Sequence, residues 1–119
     1  MAAKIQEIFE YLRANLHREL SLAEMARAVG LSPSRLSSLM KSATGLSPGQ
    51  YLKHIRMTRA RELLEGTAMS VKEVMLRVGV QDKSHFARDF KKHYGQTPSQ
   101  CQEQQAVTNR AEADLNNEK

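Results

Sequence analysis

The chain has 119 residues, 18 Lys+Arg against 13 Asp+Glu and a formal charge of +5, which is enough for one ordinary domain or two very small ones. One cysteine, Cys101, excludes an intrachain disulfide and suits a reducing compartment, and the lack of any apolar run of six residues excludes a membrane span and a signal-peptide core. Residues 1–100 carry 16 basic and 9 acidic side chains and residues 101–119 carry 2 and 4, so a body of net +7 precedes a tail of net −2. That imbalance points to an anionic partner, nucleic acid ahead of a membrane surface.

In chain order, Ile5, Ile8, Phe9, Leu12 and Leu16 recur at helical spacing and predict an amphipathic helix over 3–16. Ser21 with Glu24 reads as a capping box for a second helix, in which Leu22, Met25, Ala26 and Val29 share a face and Gly30 provides the stop. Ser32-Pro33 restarts the chain, and Leu36, Leu39 and Met40 line the inner face of a third helix that Gly45 ends. Ser47-Pro48 opens a longer helix over 48–65, with Leu52, Ile55, Ala60, Leu63 and Leu64 as apolar contacts and Gly66 as its stop. Ser70 and Glu73 cap a further helix carrying Val71, Val74, Met75 and Val78, which Gly79 ends. Asp82 caps the next, with Phe86 and Phe90 inward and Gly95 at its end, and Thr97-Pro98-Ser99 opens a last short helix.

No segment alternates like a strand. From about Ala106 the chain is polar without apolar periodicity and reads as a disordered tail. The prediction is an all-α, seven-helix domain over 1–104. Its two helix-turn-helix subdomains, 1–47 and 66–104, are joined by the linker helix 48–65, and a polar tail covers 105–119.

The chain also repeats itself. Ser21 to Gly30 aligns with Ser70 to Gly79 at an offset of 49, and Lys41/Lys91, Gly45/Gly95, Ser47/Thr97, Pro48/Pro98 and Gln50/Gln100 follow at an offset of 50. Each unit is a helix, a tight glycine turn and a second helix, the architecture that lays its second helix in the DNA major groove. The helix over 48–65 spans roughly 27 Å at about 1.5 Å per residue, close to the roughly 34 Å turn of B-DNA. One chain would therefore read two successive major-groove segments on one face of the duplex.

The stretch from Val78-Gly79-Val80 through Asp82-Lys83-Ser84-His85-Phe86, Arg88, Phe90-Lys91-Lys92 and Gly95 to Thr97-Pro98-Ser99 resembles the signature of the AraC/XylS family of bacterial transcription regulators. Ser21–Leu64, including Arg56-Met57, Ala60 and Leu63-Leu64, is similar to the first half of the same domain. The resemblance covers about residues 5–102. It implies a seven-helix domain that binds double-stranded promoter or operator DNA asymmetrically, usually as an activator that contacts RNA polymerase, in the bacterial cytoplasm at the nucleoid. Departures stand at Met75, where the family has a small residue, at Val80, where it has Phe, at Ser38, where Arg is common, and at Cys101, where Tyr is frequent. Met75 implies tighter packing inside the second unit, with Val80 compensating, and Ser38 puts the first recognition helix's share of base readout in question.

On the first recognition helix the outward positions are Ser34, Arg35, Ser37, Ser38 and Lys41. Only Arg35 is long enough for bidentate contact with guanine, while serine bonds several bases and specifies little. On the second, Lys83, Ser84, Ala87 and Arg88 match positions that resemble the family's base-reading face. Lys83 and Arg88 would read guanine, and the Ala87 methyl would meet thymine. Arg88 has an alternative, pairing with an acid such as Glu73 or binding phosphate. Phosphate contacts are expected from Lys41, Lys53, Lys91, Lys92, Thr97 and Ser99, although a solvated surface charge is the alternative for any one lysine.

Other readings fall away on spacing. His85, His93 and Cys101 lie eight apart, unlike the close ligand pairs of zinc sites. Cys101 has no base beside it in the sequence to make it a nucleophile, and Met25, Met40, Met57 and Met75 fit core positions. The basic run Arg56, Arg59 and Arg61 is interrupted by Glu62 and Glu65, against a membrane-surface helix. No catalytic constellation appears, so no enzyme and no cofactor are expected. The rival class is a helical protein-interaction module that kept the fold and lost DNA specificity, favoured by the serine-rich first recognition helix. The chain lacks the ligand-sensing domain of many family members, so no small-molecule ligand is expected in it. It is either a stand-alone regulator or the DNA-binding part of a longer protein.

Overall fold

A computed structural model of the chain describes residues 2–104, and the tail predicted over 105–119 lies outside the described residues. The described residues contain seven helices and no strand: α1 (Ala2–Asn15), α2 (Leu22–Ala28), α3 (Pro33–Thr44), α4 (Pro48–Gly66), α5 (Val71–Val78), α6 (Lys83–Tyr94) and α7 (98–104). The chain divides into two compact units between Arg56 and Met57, inside α4.

Unit 1 forms because four short segments each have one apolar face and nothing else to cover it. Ile8 and Leu12 of α1, Met25 and Ala26 of α2, Val29, Leu36 and Met40 of α3 and Leu52 of α4 form one buried cluster. Ile5, Phe9, Tyr11, Leu16, Leu20, Leu31, Tyr51 and Ile55 pack around its edge, and Phe9 stacks on Tyr51 with ring centroids 5.1 Å apart. Lys4 closes the unit by donating from Nζ to the carbonyl of Val29 at 2.9 Å, a cation on the carbonyl end of α2.

Unit 2 uses the second half of α4 as its first wall. Met57, Ala60, Leu63 and Leu64 are buried there, together with Val74, Met75 and Val78 of α5, Phe86 and Phe90 of α6 and Cys101 of α7. Phe90 sits 5.9 Å from Phe86 and 4.8 Å from Tyr94, ring to ring. Met75 is accommodated at 7% exposure with Val80 half-buried, so the larger side chain and the smaller one coexist. Cys101 is 2% exposed, a small apolar core residue.

The local signals act as read, with two differences. One is Gly66, which is the last helical residue of α4 and lacks the left-handed φ of the glycines that stop other helices. Ser70 caps α5 with the full reciprocal box, its Oγ accepting from Glu73 N while the Glu73 carboxylate accepts from Ser70 N at 3.4 Å. Ser21 makes only its own half with Glu24 N, at 3.1 Å. Ser32 and Asp82 cap α3 and α6 in matched fashion. Gly45 and Gly95 stop those helices at φ +78° and +76°, a left-handed conformation that costs any residue with a Cβ about 1 kcal/mol.

Candidate nucleic-acid interface

Each unit places one helix so that an inner stripe holds it in the core and the opposite side faces solvent. In unit 1, Leu36, Leu39 and Met40 anchor α3. Ser34, Arg35, Ser38 and Lys41 are then exposed and Ser37 is half-buried. Ser37, Ser38, Lys41 and Ser42 line an open groove together with Ser47, which stands before the first turn of α4. The groove is therefore walled by hydroxyls with a single cation, Lys41.

In unit 2, Phe86 and Phe90 anchor α6. Lys83, Ser84, Arg88, Lys91 and Lys92 are exposed and Ala87 is half-buried. The solvent face of α6 thus carries four cations where that of α3 carries two, Arg35 and Lys41. Arg88 is not paired with Glu73, because the Glu73 carboxylate is turned to Ser70 N and Oγ, the latter at 3.1 Å. That leaves Arg88 to solvent and to the field of Asp82. The Asp82 carboxyl is held below its ordinary range, first by the hydrogen bond it accepts from His85 N, with Ser84 N, His85 and Arg88 adding smaller pulls.

The two remaining helix starts are built alike. Ser47 N donates to Gln50 Oε1 at 3.0 Å and Gln50 N donates back to Ser47 Oγ at 3.2 Å. Thr97 N donates to Gln100 Oε1 at 2.9 Å and Gln100 N donates back to Thr97 Oγ1 at 3.2 Å. These are capping boxes with glutamine as the reciprocal residue. They were legible as the Gln50/Gln100 match in the repeat, once Ser or Thr three residues earlier is considered with it. They also limit what each helix start can offer an anion. Pro48 and Pro98 have no N–H and the Gln50 and Gln100 amides are taken, so Gly49 N–H and Ser99 N–H are the first-turn donors left to point outward. Thr97 spends its hydroxyl oxygen on the cap, and Ser99 is exposed.

Lys53 lies exposed on α4. The arginines of the basic run on the same helix are engaged with the protein itself. Arg56 donates to two backbone carbonyls, Arg59 pairs with Glu62 at 3.0 Å, and Arg61 pairs with Glu65 at 2.9 Å while its guanidinium lies 4.7 Å from the centre of the Tyr94 ring. The spacing of Arg59 to Glu62 and Arg61 to Glu65 already carries this signal, because residues three and four apart face each other on a helix. Among the described residues no group of His, Cys, Asp or Glu is arranged to hold a metal, and no helix is long and apolar enough to cross a membrane.

Comparison with known proteins converges on one type of domain. A family model described as a helix-turn-helix domain matches residues 25–104. The lactose operon transcription activator of Staphylococcus xylosus is 28% identical over 106 residues, covering 89% of this chain and 38% of that protein. The chain thus spans well under half the length of such curated relatives. A transcriptional regulator of Chromobacterium violaceum with an AraC-type DNA-binding domain superposes with a TM-score of 0.81 at 31% identity, over 88% of this chain and 94% of that one. The DNA-binding domain of AdpA, solved in complex with a target DNA, superposes with a TM-score of 0.77 at 25% identity, over 87% of this chain and 91% of that one.

Proposed function

The chain belongs to the AraC/XylS family of helix-turn-helix regulators, and from that membership we propose that it binds specific sequences in double-stranded DNA and regulates transcription, as an activator. In this reading α3 and α6 enter successive major-groove segments on one face of the duplex. Arg35, Lys83 and Arg88 read base edges, with Ser34, Ser37, Ser38, Ser84 and Ala87 completing the two faces. Lys41, Lys53, Lys91 and Lys92 hold phosphates, as does the start of α7 through Thr97 and Ser99. RNA polymerase is the protein partner that activation requires, and the bacterial cytoplasm at the nucleoid is where the chain works. The domain organisation that serves this is a helix-turn-helix subdomain on either side of α4.

The observation that carries the reading is the matched presentation of α3 and α6. Each is capped by Ser32 or Asp82 and stopped by a left-handed glycine, and each is anchored by an inner apolar stripe beneath an exposed polar or cationic side. Selection of bound duplexes from a random pool, followed by footprinting, tests it. One protected site of roughly 20 base pairs, two turns of duplex, is expected, with affinity falling steeply as salt rises. Failure to retain any duplex, or salt-insensitive retention, overturns it. The serine-lined groove of α3 favours the second reading, a helical protein-interaction module. Capture of a defined protein partner with no DNA retention would establish that instead.

A further inference from the structure

We propose that His85 is a DNA-contacting side chain of α6, the counterpart in unit 2 of Arg35 in unit 1, and that Asp89 is its positioning residue. The proposal rests on the DNA-binding reading above and adds a residue to it.

The register of the repeat pairs Arg35 with His85 at an offset of 50, and the structure gives both the same local frame. Each is the third residue of its helix. The backbone N–H of each is fixed by the residue that caps the helix, Arg35 N on Ser32 Oγ at 3.1 Å and His85 N on Asp82 Oδ1 at 3.0 Å. Each is followed by a buried anchor, Leu36 or Phe86. With the same position in the helix, a matching cap bond and a matching buried neighbour, the two side chains leave their helices in the same direction relative to the core-facing stripe. His85 is exposed, its side chain 59% accessible, and it shares a side of the helix with Arg88 and Lys92, three and seven residues on.

A second exchange accompanies the first. Position 39 is a buried leucine, while its repeat partner is Asp89. Asp89 lies one turn after His85, its side chain only 16% accessible and Oδ2 3.4 Å from His85 Nε2. A carboxylate open to the duplex would repel phosphates. This one is largely covered and turned to the imidazole at Nε2, where it fixes ring orientation and leaves Nδ1 for the duplex. There Nδ1 is a donor to phosphate or guanine when the ring carries both protons, and an acceptor from a base amine when it carries one. Arg35 carries its own planar fork of donors and needs no such partner.

The test uses the full chain and its own selected site, with H85A, H85R, D89N and the double variant H85A/D89N. Affinity is read by fluorescence anisotropy over a salt series, and circular dichroism checks the fold. H85A should weaken binding roughly tenfold, and H85R should restore affinity to within a few-fold. A loss uniform across sequences, with a salt slope smaller by about 1, assigns a phosphate contact, and a loss confined to the selected site assigns a base contact. D89N should weaken binding only while His85 is present, the coupling expected of a positioning residue. Unchanged binding by H85A overturns the contact, and an equal effect of D89N in both backgrounds overturns the positioning. No DNA binding by the unaltered chain would instead overturn the function itself, and this inference with it.

Discussion

The Arg56 guanidinium stands 2.6 Å from the carbonyl oxygen of Arg18, and its Nε donates to the carbonyl of Leu16 at 2.9 Å. Both carbonyls lie past the C-terminus of α1, in the non-helical segment before α2, whose backbone acceptors have no helical ladder to bond to. One planar fork from α4 satisfies two of them and fixes the segment between α1 and α2. Half-burial costs the cation hydration and lowers its pKa from the ordinary arginine value, with the Glu19 charge pulling the other way.

Arg56→Lys should therefore destabilise the protein by about 1–3 kcal/mol, because a point-like ammonium cannot serve both carbonyls in one plane. Arg59→Ala, which removes only an exposed pair with Glu62, should stay within about 0.5 kcal/mol. Thermal unfolding followed by circular dichroism distinguishes them. Equal melting temperatures for the two variants would contradict the role assigned to Arg56.

The two serine caps make an internal control. Glu73 completes its box with Ser70, whereas Ser21 is capped on one side only. Glu73→Ala should cost about 0.5–1 kcal/mol through the lost reciprocal bond and the lost anion at a helix N-terminus. Glu24→Ala should cost less, since only the interaction with the helix dipole is removed. Urea midpoints for the two variants check this, and a larger loss for Glu24→Ala would show that the difference in capping carries no weight.

Much of the fold was legible in the sequence because helix starts and stops here are local chemistry. Ser32-Pro33, Asp82, Gly45 and Gly95 each act within four residues of themselves, and the apolar spacing of Leu36 to Met40 or Phe86 to Phe90 sets the buried face. Arg56 was not legible in the same way, since its carbonyl acceptors lie 40 and 38 residues away. Glu73 offered a local partner, Ser70, and a more distant one, Arg88 on the next helix, and only the structure shows the capping box taking it. The candidate interface was legible as positions and not as hydrogen-bonding states. Thr97 reads in the sequence as a hydroxyl at a helix start, but its engagement with Gln100 emerges only from the cap geometry.

Readout should be unequal between the two recognition helices. Lys83→Ala and Arg88→Ala remove long donors from the exposed side of α6, and each should relax base preference by about 1–3 kcal/mol at one or two positions of the site. Ser37→Ala and Ser38→Ala remove short hydroxyls that discriminate little and should change preference much less. Lys91→Ala and Lys92→Ala should weaken all sequences alike and each lower the salt slope by about 1. Affinity measured against a panel of single-base variants of the selected site, over a salt series, reads all three effects. Equal loss of preference from the serine and the Lys83 or Arg88 substitutions would remove the argument from side-chain reach.

Asp82 gives the α6 cap a defined pH dependence. Its carboxyl is held below the ordinary range, chiefly by the hydrogen bond from His85 N, so the folded state favours the ionised form more than the unfolded chain does. A group depressed in this way stabilises the fold above its unfolded pKa of about 3.9, and that contribution disappears as pH falls through the lower folded value. Asp82→Asn keeps an oxygen that can accept from His85 N but cannot titrate. The unaltered chain should therefore be more stable than D82N at neutral pH, and the margin should shrink toward zero as pH is taken to about 3 and below. Denaturant unfolding of both proteins across that range measures the margin, and the other carboxylates cancel in the difference. A margin independent of pH would mean that the charge on Asp82 does not strengthen the cap, and that its oxygen acts there only as a neutral acceptor.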